Sequence, residues 1–349
     1  MGKLNYIHNM RALAILLIVG VHVRDMLNWN EGDISEELLV TLFDNGTVVF
    51  VFIAGFLFQY LNSNKPFKFS DYLWKKFKFV LTPYLILSAL LIPIRLWMQE
   101  DRFFLPPDFY EHNLVWQARY YLITGTHLVP LWFIPMVVLI YLCSPLLLWM
   151  DKTKYFYLLA LLPICLSFMT FRPAWNTDPI LAFFHFLPIY IIGMGASHFR
   201  KKLETIPTQT TFTLLSLWAI LSIGQFTGLI PGHRYLWMED IWQQGVWVFN
   251  IGHFRMALIS VILVPLFSKF VNQPYRLSNL LANYSFGIFY LHFILVILLQ
   301  KISVRILHIN TYSISYFLVV FSMVMITSCM MVWTTKKLLK DKSRILIGS

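Results

Sequence analysis

Apolar runs about twenty residues long recur from one end of this chain to the other, and they limit what it can fold into more than any single motif does. Twenty helical residues rise about 30 Å, the thickness of the hydrocarbon core of a bilayer. In that solvent a segment must satisfy its own backbone N–H and C=O groups, which a continuous apolar run does by forming a helix. Only 13% of the 349 residues are charged and 58% are hydrophobic, against about a quarter charged in an ordinary soluble domain. The polar stretches between runs are loop-sized, with no low-complexity linker and no internal repeat. The expectation is an all-α, polytopic membrane helical bundle of about ten transmembrane helices, near 6–25, 43–62, 79–97, 129–150, 155–171, 180–198, 211–229, 247–267, 280–299 and 313–334. Residues 1–335 form the membrane domain and 336–349 a basic cytoplasmic tail.

Charge placement orients the bundle, because Lys and Arg collect in short cytoplasmic loops. With the N-terminus inside, nineteen of the 28 basic residues fall on the cytoplasmic side, eight fall opposite (Arg24, Arg95, Arg102, Arg119, Arg172, Arg234, Lys301 and Arg305), and Arg255 lies within a span. Lys3 is among the nineteen. Both termini are therefore expected in the cytoplasm. The net charge of +11 is mostly this orientation signal plus the tail, so a nucleic-acid partner is not expected. The first run is read as a retained span and not a cleaved leader: no small-x-small site follows it, and it carries Arg11 and His22. Residues 113–128, interrupted by Arg119 and His127, read as an interfacial or re-entrant helix on the outer face. Cys143, Cys165 and Cys329 each sit in an apolar segment without a CxxC pair, which predicts buried structural thiols.

Arg11 and His22 are eleven residues apart, so they share one helical stripe within roughly 20° but sit about 16 Å apart along the axis. They cannot meet on one reacting atom, and different jobs along one polar passage follow. A mid-membrane charge costs about 2.5–3.5 kcal/mol on insertion scales, which makes such residues functional candidates. The plainer readings are an interfacial anchor for Arg11 and a core histidine bonded to a carbonyl for His22. His253 and Arg255 are unusual within a span, and Arg255 is expected to face a cavity or an acidic partner. His185 reads as a core histidine and His292 as packed under Tyr290. The acidic outer stretches (Asp25, Glu31, Asp33, Glu36 and Glu37, then Glu100, Asp101, Asp108 and Glu111) are either solvated caps or a carbohydrate-facing surface. A Gly-rich phosphate loop, a metal-ligand cluster and a GxSxG elbow are all missing from the sequence, so no metal is expected.

Several motifs carry a resemblance. The R-x10-H spacing of Arg11 and His22 resembles that of the acyltransferase-3 family of integral-membrane O-acyltransferases. Residues 50–57, FVFIAGFL, resemble its second-span segment, with Ala54 where the family usually has Ser. Residues 71–86, DYLWKKFKFVLTPYLI, resemble the basic entry to its third span, with Lys75, Lys76 and Lys78 where arginines are common. HLVPLWFIP at 127–135 resembles its HLWFL element with two residues inserted, and NYSFGIFYLH at 283–292 resembles SYGLYLLH. Within the family, the segment 71–86 and the overall length resemble the type associated with poly-N-acetylglucosamine in biofilms.

The resemblance implies transfer of an acetyl or succinyl group from cytoplasmic acyl-CoA, the donor substrate, to a hydroxyl of a cell-surface polysaccharide or its glycolipid precursor. It implies a multi-pass protein of the bacterial plasma membrane, in contact with lipid and a possible member of a synthase complex. His22 is then the general base, with Asp44 or Asp25 orienting its imidazole. Arg11, Lys75, Lys76 and Lys78 are placed at the phosphates of CoA, and His127, Trp132 and Arg255 along the acceptor cavity. The competing reading is an exporter or flippase of a polysaccharide or lipid-linked sugar, although the Gly and Pro interruptions show no paired pattern between halves. A non-catalytic synthase subunit is the third.

Overall fold

The computed structural model describes residues 4–27, 29, 33–99, 105–169, 176–230, 249–306, 308 and 313–349. Lys3, Glu31, Glu100, Asp101, Arg102, Arg172 and Arg234, which entered the charge pattern, lie outside the described residues. Every regular element among the described residues is helical. In chain order these are α1 (Asn5–Asp25), α2 (Ile34–Phe43), α3 (Gly46–Asn62), α4 (Phe69–Lys76), α5 (Thr82–Met98), α6 (Leu114–Thr124), α7 (Phe133–Asp151), α8 (Phe156–Leu159) and α9 (Leu161–Ser167). They continue as α10 (Pro179–His198), α11 (Arg200–Glu204), α12 (Thr208–Phe226), α13 (Ile251–Phe270), α14 (Arg276–Arg305), α15 (Ile314–Leu339) and α16 (Ser343–Ile347).

Eight helical stretches among the described residues are long and apolar enough to cross a membrane. Two of the ten expected spans look different. The stretch expected at 155–171 holds the short helices α8 and α9, which together run only from Phe156 to Ser167. Helix α12 has the length, at 19 residues, but Thr208, Gln209, Thr210, Thr211 and Thr213 crowd its first turns and dilute its hydropathy. The lipid side is read directly from exposure: Trp97, Leu158, Leu162, Ile220 and Ile326 are all well exposed. In water such a belt would drive association; in a bilayer it faces its natural solvent. Residues 114–124 form the short helix α6, stopped by Gly125 in the left-handed region (φ 75°). The cysteines are free but not buried as expected; Cys165 is exposed, and Cys143 and Cys329 are half-buried.

The centre of the bundle is built from α1, α3, α10 and α14: α1 lies against α14 and α3, and α3 against α10. Two glycines set the α3–α10 spacing. A Cβ on Gly55 would overlap the Tyr190 carbonyl oxygen, and one on Gly193 would overlap that of Phe52, so each helix presents a bare backbone where the other's carbonyl approaches. This is the role of the glycine in the FIAGF stretch.

Between α4 and α5 the helix widens into a π turn at Phe77–Leu81. Pro83 sits just beyond it and can offer no N–H to the carbonyl of Phe79. Side-chain hydroxyls add bonds along this stretch: the Tyr290 hydroxyl donates to the Val80 carbonyl at 2.7 Å, and Thr82 Oγ1 joins the Thr82 N–H on the Phe77 carbonyl at 3.1 Å. The Tyr290 bond ties the π turn to α14.

Candidate active site

His22 lies on α1, one turn before the helix ends at Asp25, and its imidazole borders a cavity of about 370 Å³. That volume falls within the range of small-molecule pockets. Asp25 shares its helical face, three residues on, and borders the same cavity. Asp44 joins them from the end of α2, Thr47 from the first turn of α3, and Trp132 from the short turn Val129–Trp132 that leads into α7. The far wall is polar: Asn176, His185, Gln225, Asn250, His253 and Arg255.

Local sequence explains how that wall is held. Asn250 accepts the His253 N–H on its side-chain oxygen at 2.9 Å and so caps α13, the helix that carries both His253 and Arg255. The His253 and His185 rings lie side by side with centroids 4.0 Å apart. Arg255, only 3% exposed, donates from Nη1 to the Ser222 hydroxyl at 3.1 Å and the Thr41 carbonyl at 3.2 Å. These acceptors hold the guanidinium in place at the cavity wall. His185, expected in the core, is a wall residue.

Two carboxylates that border the cavity with His22, Asp25 and Asp44, are tied to Arg24. Its guanidinium pairs with Asp25, with Glu36 at 3.3 Å and with Asp44 at 4.0 Å. Arg24 and Asp44 side chains are 6% and 8% exposed, while Asp25 and Glu36 are 39% and 33% exposed, so the cluster has a buried centre and a solvated rim. Sequence reasoning counted Arg24 only as a loop charge; its partners lie up to twenty residues away and no local pattern joins them.

Behind His22 stands His292, fully buried on α14, with ring centroids 5.3 Å apart; Phe293 meets His22 edge-on at the same separation. His292 donates Nδ1–H to the Ile288 carbonyl at 2.9 Å, which fixes its tautomer when the ring is neutral. It does not pack merely under Tyr290, as expected, but completes the second side of the His22 imidazole.

His127 stands apart from this group. It borders neither cavity that His22 does. It is fully buried, with Nε2 3.0 Å from the Ser88 hydroxyl and Nδ1 3.0 Å from the Tyr121 carbonyl, and Arg95 donates to its backbone carbonyl at 3.0 Å. The expectation that it lines an acceptor cavity is therefore corrected: it ties α5 to the turn after α6. The Trp132 indole, five residues on, does reach the cavity.

Towards Arg11, a second and much smaller space of about 20 Å³ continues from His22, bordered by Ile18, Thr47, Phe50, Trp132, Phe133 and Phe289. Phe50 meets Phe133 and Phe286 at 5.8 Å each, and Phe133 meets Phe289 at 5.7 Å, so four rings form one contiguous layer beside that space. Arg11 is on its other side, with its guanidinium 5.7 Å from the centre of the Phe286 ring and Nε donating to the Ser285 hydroxyl at 2.9 Å. Lys76 approaches the same region, Nζ 4.4 Å from the Tyr141 ring centre and 5.2 Å from that of Tyr72. Lys78 lies over Phe79, while Lys75 is exposed. The α1 stripe thus carries a histidine at the cavity and an arginine against Phe286, with aromatic rings between.

Among the described residues no group of three or more His, Cys, Asp or Glu is arranged to hold a metal ion. A family model described as an acyltransferase domain matches residues 4–333. No curated protein and no solved structure matches the chain.

Proposed function

The chain belongs to the acyltransferase-3 family and is a multi-pass membrane acyltransferase, and on that footing we propose that it moves an acetyl or succinyl group from cytoplasmic acyl-CoA to a hydroxyl of a surface polysaccharide or its lipid-linked precursor. The membrane is taken to be the bacterial plasma membrane, with both termini inside. The observation that carries the reading is the placing of His22: it borders a polar cavity at one end of α1, while Arg11 and Lys76 wait beyond four phenyl rings at the other.

In this mechanism the acceptor sugar enters the larger cavity, where Trp132 offers an apolar face for a sugar ring and Asn176, Asn250, Gln225 and Arg255 offer hydrogen bonds to its hydroxyls. The donor enters from the Arg11 side with its phosphates held by basic groups and its thioester arm threaded past the rings. His22 takes the proton of the acceptor hydroxyl as the oxygen attacks the thioester carbonyl. The tetrahedral intermediate collapses, the C–S bond breaks, and the departing thiolate takes the proton from the imidazolium. Products are the O-acyl sugar and free CoA, and His22 ends neutral. Asp25 and Asp44, both held by Arg24, set the negative field in which the imidazolium forms.

Arg11 suits the donor role because its charge faces hydroxyl and ring, with no acid bound to it among the described ion pairs. The decisive experiment is incubation of purified protein with labelled acetyl-CoA or succinyl-CoA and candidate glycans. Labelled glycan formed by the wild type and lost in a folded His22→Ala variant is the expected result. Glycan export that persists in that variant without any acylation supports the exporter reading instead.

A further inference from the structure

Residues 336–349 read from sequence as a solvated basic tail, and the family match ends at residue 333. The structure gives residues 340–349 a definite fold. The Ser343 hydroxyl donates to the Lys340 carbonyl at 2.6 Å and lies 2.8 Å from the Ser349 carbonyl, and Ser349 Oγ accepts the Gly287 N–H of α14 at 2.7 Å. Ser343, Ile347 and Ser349 are buried. Gly348, with φ 73°, turns the backbone against Phe79, Phe286 and Tyr290, where a side chain would be crowded. Residues 343–349 are thus seated at the Arg11 end of the bundle, against the π turn.

Their seating delivers a cation. The Arg344 guanidinium stacks 4.2 Å from the centre of the Phe79 ring, while the residue stays exposed. It is near enough to Arg11 and Lys76 that each of those two feels its charge, and Lys76 also feels that of Arg11. No ion pair among the described residues engages any of the three. The surroundings are hydroxyls and rings: Ser285 on Arg11, Tyr141 and Tyr72 on Lys76. Three like charges converging without an acid repel one another. An anion that bridges them removes the repulsion, and a guanidinium fork beside an ammonium suits phosphate oxygens.

We propose that Arg344, presented by the folded segment 340–349, is the rim cation of a phosphate site whose deeper members are Arg11 and Lys76, and that it binds the nucleotide diphosphate of the thioester donor. The proposal rests on the donor reading above and adds to it a residue outside the matched domain. Arg11 and Lys76 meet the phosphate nearer the rings. Arg344 closes over it from the aqueous side, held on Phe79.

The test is equilibrium binding of CoA, and of pantetheine, to the full-length protein in detergent. Pantetheine has the thiol arm but no phosphate. Arg344→Gln and Arg344→Met both remove the charge, and the methionine keeps an apolar stem over Phe79, so the binding does not hang on one variant folding. The expected result is a loss of CoA affinity of about tenfold or more, as for a charge-assisted contact, with a shallower salt dependence. Pantetheine binding is unchanged, and Arg344→Lys recovers part of the loss. Wild-type CoA affinity and salt dependence in both neutral variants overturn the role of Arg344 and leave the donor reading intact. A wild-type protein that binds CoA no better than pantetheine overturns the donor reading itself, and this proposal with it.

Discussion

The buried imidazole of His292 lies 5.3 Å from that of His22, centroid to centroid, and is anchored by an Nδ1–H bond to the Ile288 carbonyl. With Phe293 on the edge, it confines the rotation of the ring proposed to act as the general base. A base displaced by even an ångström loses rate, so the second histidine acts as a positioning residue. His292→Leu is expected to lower kcat about tenfold to a hundredfold while the KM values for donor and acceptor hold. Steady-state kinetics of the folded variant check this, and a change confined to KM speaks against it.

Removing the His22 imidazole has a larger effect. General-base assistance contributes about 10²–10⁴-fold, so on the proposed mechanism His22→Ala should lose that factor in kcat and keep CoA binding, since the cations proposed to hold the phosphates lie beyond the rings. Transfer assays paired with CoA titration separate the two quantities.

Arg24 pairs with Asp25, Glu36 and Asp44, and of these three acids Asp44 is the buried one. Arg24→Ala removes a cation from beside the Asp44 carboxylate, 8% exposed, and should destabilise the fold by about 1–3 kcal/mol. Thermal unfolding in detergent measures the loss. Adding Asp44→Asn should return part of it, a non-additivity that a double-mutant cycle reads directly.

Gly55 and Gly193 permit carbonyls to approach where any side chain would overlap. Gly55→Ala and Gly193→Ala should each cost about 1–3 kcal/mol, the usual penalty of overpacking, seen as reduced folded yield and a lower melting temperature. Gly228, whose ideal Cβ meets nothing within 4 Å, gives the control: alanine there acts only through its positive φ of 73°.

Phe289 borders the small space under His22 and contacts Phe133 in the ring layer. Phe289→Leu should widen the path for the acyl arm and raise the ratio of octanoyl to acetyl transfer by about tenfold, the scale on which a few methylenes discriminate in an apolar pocket. Competition between the two thioesters reports it. An unchanged ratio would place the acyl route elsewhere.

The membrane class was legible because hydrocarbon demands long apolar helices, and that demand is written residue by residue. Arg11 and His22 were legible for a related reason: polar groups stand out against such a background, and helical geometry relates two positions on one helix without further knowledge. Arg24, His292 and Arg344 were not, since their significance comes from partners on other helices and no local period links residue 22 to residue 292. His127 and His185 exchanged roles for the same cause. Each is a histidine in an apolar run, and only the neighbours supplied by packing, Ser88 and Tyr121 for one and His253 for the other, tell a tether from a cavity wall. The segment at 155–171 misled because composition alone does not show where a helix breaks.

Phe50, Phe133, Phe286 and Phe289 touch in series between the small space beside His22 and the Arg11 guanidinium. An ion moving between them must shed its hydration and receive only weak π faces in exchange, whereas a thin acyl chain loses nothing by touching them. On the proposed function, the layer that would let an acyl arm slide past would also resist hydrated ions, so transfer and leakage would be separated by the same four rings.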